Sequence, residues 1–132
     1  VNQNILNVTL KTDKLNINQV FQALAKNNIN VNMITYNSQN SISFTANKSD
    51  HGIIKVKLKE YNPIIQEDVA TICIVGIGMV STPGTTAKVI NVAAQNSYLI
   101  SQISTSEISI TILVQSETAN DLAAKLAHEF NL

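Results

Sequence analysis

The stretch Ile90-Asn91-Val92-Ala93-Ala94-Gln95-Asn96-Ser97, continued by residues 98–103, a polar turn and Ile108-Ser109-Ile110-Thr111, is written twice in this chain. Its twin is Phe21-Gln22-Ala23-Leu24-Ala25-Lys26-Asn27-Asn28, continued by residues 29–34, a polar turn and Ile42-Ser43-Phe44-Thr45. Both copies read helix, strand, turn, strand, the signature of a repeated supersecondary unit. Two copies make a pseudo-symmetric pair rather than a solenoid.

Working outward, each copy is preceded by a strand rich in β-branched residues, 5–11 and 69–76, and followed by a second helix. The last helix is the clearest: Ala119, Leu122, Ala123, Leu126, Ala127 and Phe130 fall on one stripe, with Thr118 as the expected N-cap. Its counterpart over 52–61 places Ile54, Leu58 and Tyr61 on one face. The first helix carries Ile17, Val20, Phe21, Leu24 and Ala25 at the same spacing, with Asn16 as cap. Pro63 ends the second helix and residues 64–66 form a short fourth strand. The order β, α, β, β, α, β predicts an α+β fold, an antiparallel sheet with both helices on one face, the ferredoxin-like arrangement. Two such domains are expected, at 1–66 and 67–132. Units this small bury too little surface to stand comfortably alone, so they are expected to pair side by side, in a dimer.

Nine lysines balance nine acidic side chains with no run of one sign, which argues against nucleic acid and anionic membrane as partners. Lys55, Lys57 and Lys59 alternate with Val56 and Leu58 and read as a solvated face. No apolar stretch approaches the ~20 residues that span a bilayer, and no leader opens the chain, so it reads as soluble. The lone Cys73 lies in the apolar run 71–75, where a small buried hydrophobe is expected. A single cysteine suits a reducing cytoplasm. The start at Val1 rather than a methionine fits a piece of something longer.

Gly76 and Gly78 follow a strand, but Ser81 takes the third glycine position of a dinucleotide fingerprint and Tyr98 and Leu99 stand where its acidic residue would be. A Walker pattern is absent, and His51 and His128 have no partner at metal-ligand spacing. No acid, base and nucleophile set is assembled, so no catalytic residue is assigned. Two stretches stand out. Gly78-Met79-Val80-Ser81-Thr82-Pro83-Gly84 leads from a strand into a helix whose first N–H groups favour a carboxylate, as a free amino acid carries. Ile103-Ser104-Thr105-Ser106-Glu107-Ile108, between the central strands, offers hydroxyls and a carboxylate to an α-amino group or to a subunit interface.

At these motifs the sequence resembles the carboxy-terminal regulatory region of aspartate kinase, a tandem pair of ACT domains. Val75-Gly76, Gly78-Met79-Val80-Ser81, Pro83-Gly84, Ala87-Lys88 and Ile103-Ser104-Thr105-Ser106-Glu107-Ile108 carry the likeness, with Leu126-Ala127-His128-Glu129-Phe130 at the end. The resemblance implies feedback control: an end product, lysine and/or threonine, binds the ACT domains and shifts a kinase lobe or catalytic subunit towards an inactive state. ATP and magnesium would belong to that lobe, whose lysine and Phe-Gly-Gly signatures are not in this chain, and no cofactor is expected here. The first copy departs from the pattern. Where many members have Asp-x-Pro-Gly, this chain reads Asp13-Lys14-Leu15-Asn16; Asn32 stands where an acidic residue is common, and Tyr36 where a glutamine is common. A neutral Asn32 gives no charge-assisted bond to a lysine ammonium. By resemblance, Asp13, Lys14, Leu15, Asn16, Ile17, Asn18, Asn32, Met33, Ile34 and Tyr36 are the effector-site candidates. Met79, Val80, Ser81, Thr82, Pro83, Gly84, Ser104, Thr105, Ser106 and Glu107 form the second copy's loop or interface. The alternatives are a free-standing amino-acid-binding ACT protein; an RNA binder of the same topology, which the scattered Tyr36, Phe44 and Tyr98 disfavour; and a small enzyme on the same fold, disfavoured by the lack of an assembled acid, base or nucleophile set.

Overall fold

The computed structural model describes residues 1–11, 17–38, 40–76 and 84–131. The chain divides into two compact units. One is Asn4–Glu67; the other joins Val1–Gln3 to Asp68–Leu132.

The first unit runs β1 (Ile5–Lys11), α1 (Ile17–Lys26), β2 (Ile34–Ser38), β3 (Ser41–Asn47), α2 (His51–Lys57) and β4 (Ile64–Gln66). Short 3₁₀ turns, Lys48–Asp50 and Lys59–Tyr61, flank α2. The sheet is antiparallel with order β2-β3-β1-β4. Alternation decides its faces. Leu6, Val8 and Leu10 of β1 and Ile42, Phe44 and Ala46 of β3 pack against Val20 and Leu24 of α1 and Ile54 of α2. The intervening Thr9 and Ser43 point to the other face, where their hydroxyls lie 2.9 Å apart.

The second unit runs β5 (Val69–Val75), α3 (Thr85–Gln95), β6 (Gln102–Thr105), β7 (Ser109–Gln115) and α4 (Ser116–Glu129). Its three strands are ordered β5-β7-β6. In the first unit β4 pairs with the central region of β1, Asn7 facing Gln66. At the matching place on β5, Thr71 instead exchanges two backbone bonds with Asn2, at 2.9 and 3.0 Å. Val1–Gln3 thus sit where the fourth strand would, which is why they group with the second unit. The core is Ala70, Ile72 and Ile74 against Ile110, Ile112 and Val114, covered by Val89, Val92, Leu122 and Leu126.

The first unit is the expected ferredoxin-like βαββαβ plan; the second follows it as βαββα, with Asn2 bridging to Thr71 where a fourth strand is expected, and the other differences from the sequence reading have local causes. The strands expected at 29–34 and 98–103 begin late. Ile29 and Tyr98 are used by the preceding helices, their N–H groups donating to Leu24 O and Ala93 O at 2.9 Å each. Those bonds close around Asn28 and Ser97, both left-handed, in the manner of a Schellman cap. Asn62 and Asn131 take the same conformation after the other two helical segments. Thr118 is not the N-cap of α4: Gln115 is, and the Thr118 hydroxyl donates back to its carbonyl at 2.9 Å. Cys73 is exposed rather than buried, because β5 alternates and its neighbours Ile72 and Ile74 take the core side. The Asn16 cap lies outside the described residues. Among them, no helix is long and apolar enough to cross a membrane.

Candidate functional site

In the first unit Lys11, the last residue of β1, and Ser38, the last of β2, share Ser41 as register partner. The two strand ends therefore meet at one end of the sheet, the end from which the chain proceeds to α1. Asp13, Lys14, Leu15 and Asn16 lie outside the described residues. Ile17 and Asn18 open α1, Ile17 packing against the core and Asn18 exposed.

Asn32, Met33, Ile34 and Tyr36 follow one another along the sheet's edge. Asn32 N–H donates to Thr45 O at 3.1 Å, and Met33 accepts from Thr45 N–H at 3.0 Å, so pairing with β3 starts before β2 proper. The Met33 N–H donates to the Thr45 hydroxyl at 3.0 Å. Met33 is buried and structural; Asn32 is exposed. Ile34 and Tyr36 face Phe44 and Ile42 across the ladder yet stay 51% and 65% exposed. Burial of either would be favourable; among the described strands β3 alone pairs with β2, and the two side chains leave apolar surface uncovered within the unit.

A polar row missed by the sequence reading crosses the other face. The Asn37 amide donates to the Ser43 hydroxyl at 2.7 Å and to that of Ser41 at 3.3 Å, and the Asn7 amide donates to Gln66 Oε1 at 3.1 Å. Asn37 reaches this row because the register slips between Tyr36 and Ser38. The polar half of Ile42-Ser43-Phe44-Thr45 was the available signal; the slip was not visible.

In the second unit Met79, Val80, Ser81, Thr82 and Pro83 lie outside the described residues. Gly84 caps α3 at φ +87°, a conformation glycine adopts freely, with no side-chain bond to the first turn. Gly76 N–H donates to Ile108 O at 2.8 Å, which brings the start of the glycine-rich segment to the Ser-Thr-Ser-Glu turn. Within that turn Ser106 is structural. Its N–H donates to Ser109 O at 2.8 Å, its hydroxyl lies 2.8 Å from that of Ser109, and it accepts the Ser109 N–H at 3.1 Å. Ser104 and Thr105 are exposed on the edge strand β6, and Glu107 is exposed at the turn. In the second unit the Ser-Thr-Ser-Glu turn lies at the end of β5 that leads towards α3, whereas in the first Tyr36 lies near the corresponding end and Asn32, Met33 and Ile34 lie farther along the edge, level with the middle of β1.

A shallow groove of about 340 Å³ between α3 and α4 is lined by Val92, Gln95, Asn96, Asp121, Ala124, Lys125, His128 and Glu129. It holds none of the candidates. Its charges are engaged with each other: Lys125 Nζ lies 3.3 Å from Asp121, and the Tyr98 hydroxyl donates to the Asp121 carboxylate. That bond raises the Tyr98 pKa and holds Asp121 below the usual carboxylate range. Among the described residues no cluster of His, Cys, Asp or Glu could hold a metal ion.

Two ferredoxin-like units repeated in one chain, each with an edge strand, β2 or β6, define a tandem α+β class of domain. The chain belongs to the ACT-domain family, whose model matches residues 17–52 and 72–130. Its relatives point to one enzyme system. It is 32% identical over 126 residues to aspartokinase 2 of Bacillus subtilis, a match covering 88% of this chain and 31% of that protein. The chain therefore spans about a third of that relative's length. Crystallised aspartokinase alpha and beta subunits share the fold at a TM-score of 0.91, with 27% identity and coverage of 98% of this chain and 95% of that one. The ligand-free regulatory subunit of aspartate kinase from Thermus thermophilus gives 0.87, with 29% identity and coverage of 96% and 91%. The homology to aspartokinases and to their regulatory subunits supports an allosteric regulatory role.

Proposed function

We propose that this chain is the effector-sensing region of an aspartate kinase in the pathway to lysine, threonine and methionine, and that it binds lysine and/or threonine for feedback inhibition. The observation that carries the reading is the edge of the first unit: Ile34 and Tyr36, 51% and 65% exposed on an edge strand, with Tyr36 towards the sheet end that leads to α1. The edge supplies backbone donors and acceptors to an amino acid's two charged groups, and Tyr36 and Ile34 supply apolar contact. Loop residues at Asp13–Asn16 in the first copy, and Met79–Gly84 in the second, complete the sites. An effector that binds the inactive arrangement about 100-fold more tightly than the active one supplies about 2.7 kcal/mol of coupling, within the ordinary range. The kinase lobe, with its ATP and magnesium, carries the chemistry, and a cytoplasmic dimer is the working form.

The test is a thermal melt of the chain with each of the twenty amino acids. A ligand specific to the folded state stabilises by RT ln(1 + [L]/Kd), so lysine or threonine at millimolar concentration raises Tm. If another amino acid alone shifts the melt, the effector assignment falls while sensing stands.

A further inference from the structure

The ladder between β2 and β3 pairs Ile34 with Phe44, Thr35 with Ser43 and Tyr36 with Ile42, then slips so that Ser38 faces Ser41. Asn37 is the residue left over, and no ladder partner fixes it. Its side chain does so instead. The amide donates to the Ser41 hydroxyl at 3.3 Å and to the Ser43 hydroxyl at 2.7 Å. Ser43, only 3% exposed, lies 2.9 Å from the Thr9 hydroxyl. Side-chain bonds thus cross three strands in a chain, from the edge strand β2 through β3 to β1.

Matched by register, the second unit makes the same turn with fewer bonds. Ser109 opens β7 as Ser41 opens β3, and Thr105 faces Ile110 as Tyr36 faces Ile42. Ser106 closes the turn on Ser109, hydroxyl to hydroxyl at 2.8 Å. Thr111 stands in the place of Ser43 and Cys73 in that of Thr9, the Thr111 hydroxyl donating to the Cys73 Sγ at 3.4 Å. Among the described residues no hydrogen bond joins Ser106 to Thr111. The turn therefore closes without a bond of the Asn37–Ser43 kind, and the first unit adds one.

The added bond acts on the neighbouring residue. Side chains alternate along a strand, so an amide held on the face away from the helices directs Tyr36 to the helix side. There the ring is 65% exposed, and its own packing does little to orient it. Bulges beside functional sites re-aim side chains in this way. We propose that Asn37 is a positioning residue of the first unit's effector site: clamped by Ser41 and Ser43, it holds the bulged end of β2 and fixes the direction in which Tyr36 leaves the edge. This rests on the reading that the β2 edge takes the effector.

Two variants separate the clamp from the turn. Asn37→Ser keeps a hydroxyl for Ser41, as Ser106 has for Ser109, but is too short to reach Ser43. Ser43→Ala removes the acceptor from the face opposite Tyr36. Both are made in the full chain carrying 3-fluorotyrosine at Tyr36, Tyr61 and Tyr98. In fluorine NMR the Tyr36 signal, assigned with Tyr36→Phe, should move or split in each variant while the signals of Tyr61 and Tyr98 stay. An unmoved Tyr36 signal overturns the proposal. Titration calorimetry of the folded chain with lysine and with threonine should show each variant raising the Kd of the amino acid that binds the wild type about tenfold. A bond that served stability alone would lower Tm and leave Kd unchanged, and that result contradicts the positioning role. The fluorine signals need no effector, so failure of the wild-type chain to bind either amino acid counts against the effector reading and not against the Asn37 clamp.

Discussion

The two units follow one plan with different means, and the contrast separates what the fold requires from what function adds. Both cap their first helix identically: Asn27 and Asn96 bond back to the carbonyl four residues earlier, at 2.7 and 2.8 Å, and Asn28 and Ser97 turn left-handed. That is architecture. The core, the polar surface and the fourth strand differ. The first unit has an edge-on aromatic pair, Phe21 and Phe44 at 6.2 Å, and closes its sheet with its own β4. The second has an aliphatic centre, links its two helices by the Lys88–Glu129 ion pair, and borrows Asn2.

The largest expected break is in the aromatic core. Phe44→Ala removes a fully buried ring and should cost about 3–5 kcal/mol, seen as a fall in the denaturation midpoint. In the second unit Leu122→Ala, also fully buried, should cost about 2–5 kcal/mol. A loss below about 1 kcal/mol at either would mean that unit's core is misassigned.

Ser106→Ala should cost about 1 kcal/mol, since the hydroxyl accepts the Ser109 N–H that closes the β6–β7 turn. Glu107→Gln, exposed one residue on, should leave the melt unchanged and weaken the effector response or dimerisation. If both responses are unchanged, that turn is structural throughout.

The helix caps sharpen the comparison from the stabilising side. Ser97 sits at φ +58°, where glycine is freer, so Ser97→Gly should stabilise by up to about 1 kcal/mol; Asn28→Gly, from a residue that tolerates this region, should give less. Equal gains would undo the distinction between the two caps.

The smallest effect is the Tyr98–Asp121 bond. The folded state holds the Asp121 pKa below its ordinary value, chiefly through the Tyr98 hydroxyl and then Lys125. Its contribution is full above the ordinary carboxylate range and fades as pH falls through the lowered folded value. Both groups are exposed, so the slope is slight. Tyr98→Phe should move Asp121 back towards its ordinary pKa in a side-chain NMR titration; an unmoved titration would show that the bond does not form in solution.

The fold was legible because the repeat and the alternation of Leu6, Val8 and Leu10, or of Ile110, Ile112 and Val114, are local signals that burial obeys. What escaped was set at a distance. Nothing near Val1 announces that Asn2 pairs with Thr71, and nothing near Cys73 outweighs the apolar run that hides its outward position. Of the candidate site, the edge residues Ile34 and Tyr36 could be found by resemblance, whereas Asn37 joins the polar row only through a register slip.

The central claim is that the chain senses an amino acid. A thermal melt of the chain with lysine, with threonine and with both tests it most directly. Our account predicts that one of these raises Tm by several degrees at saturating, millimolar concentration, as a stabilisation of ~2–3 kcal/mol would. No shift with any of the twenty amino acids would contradict it.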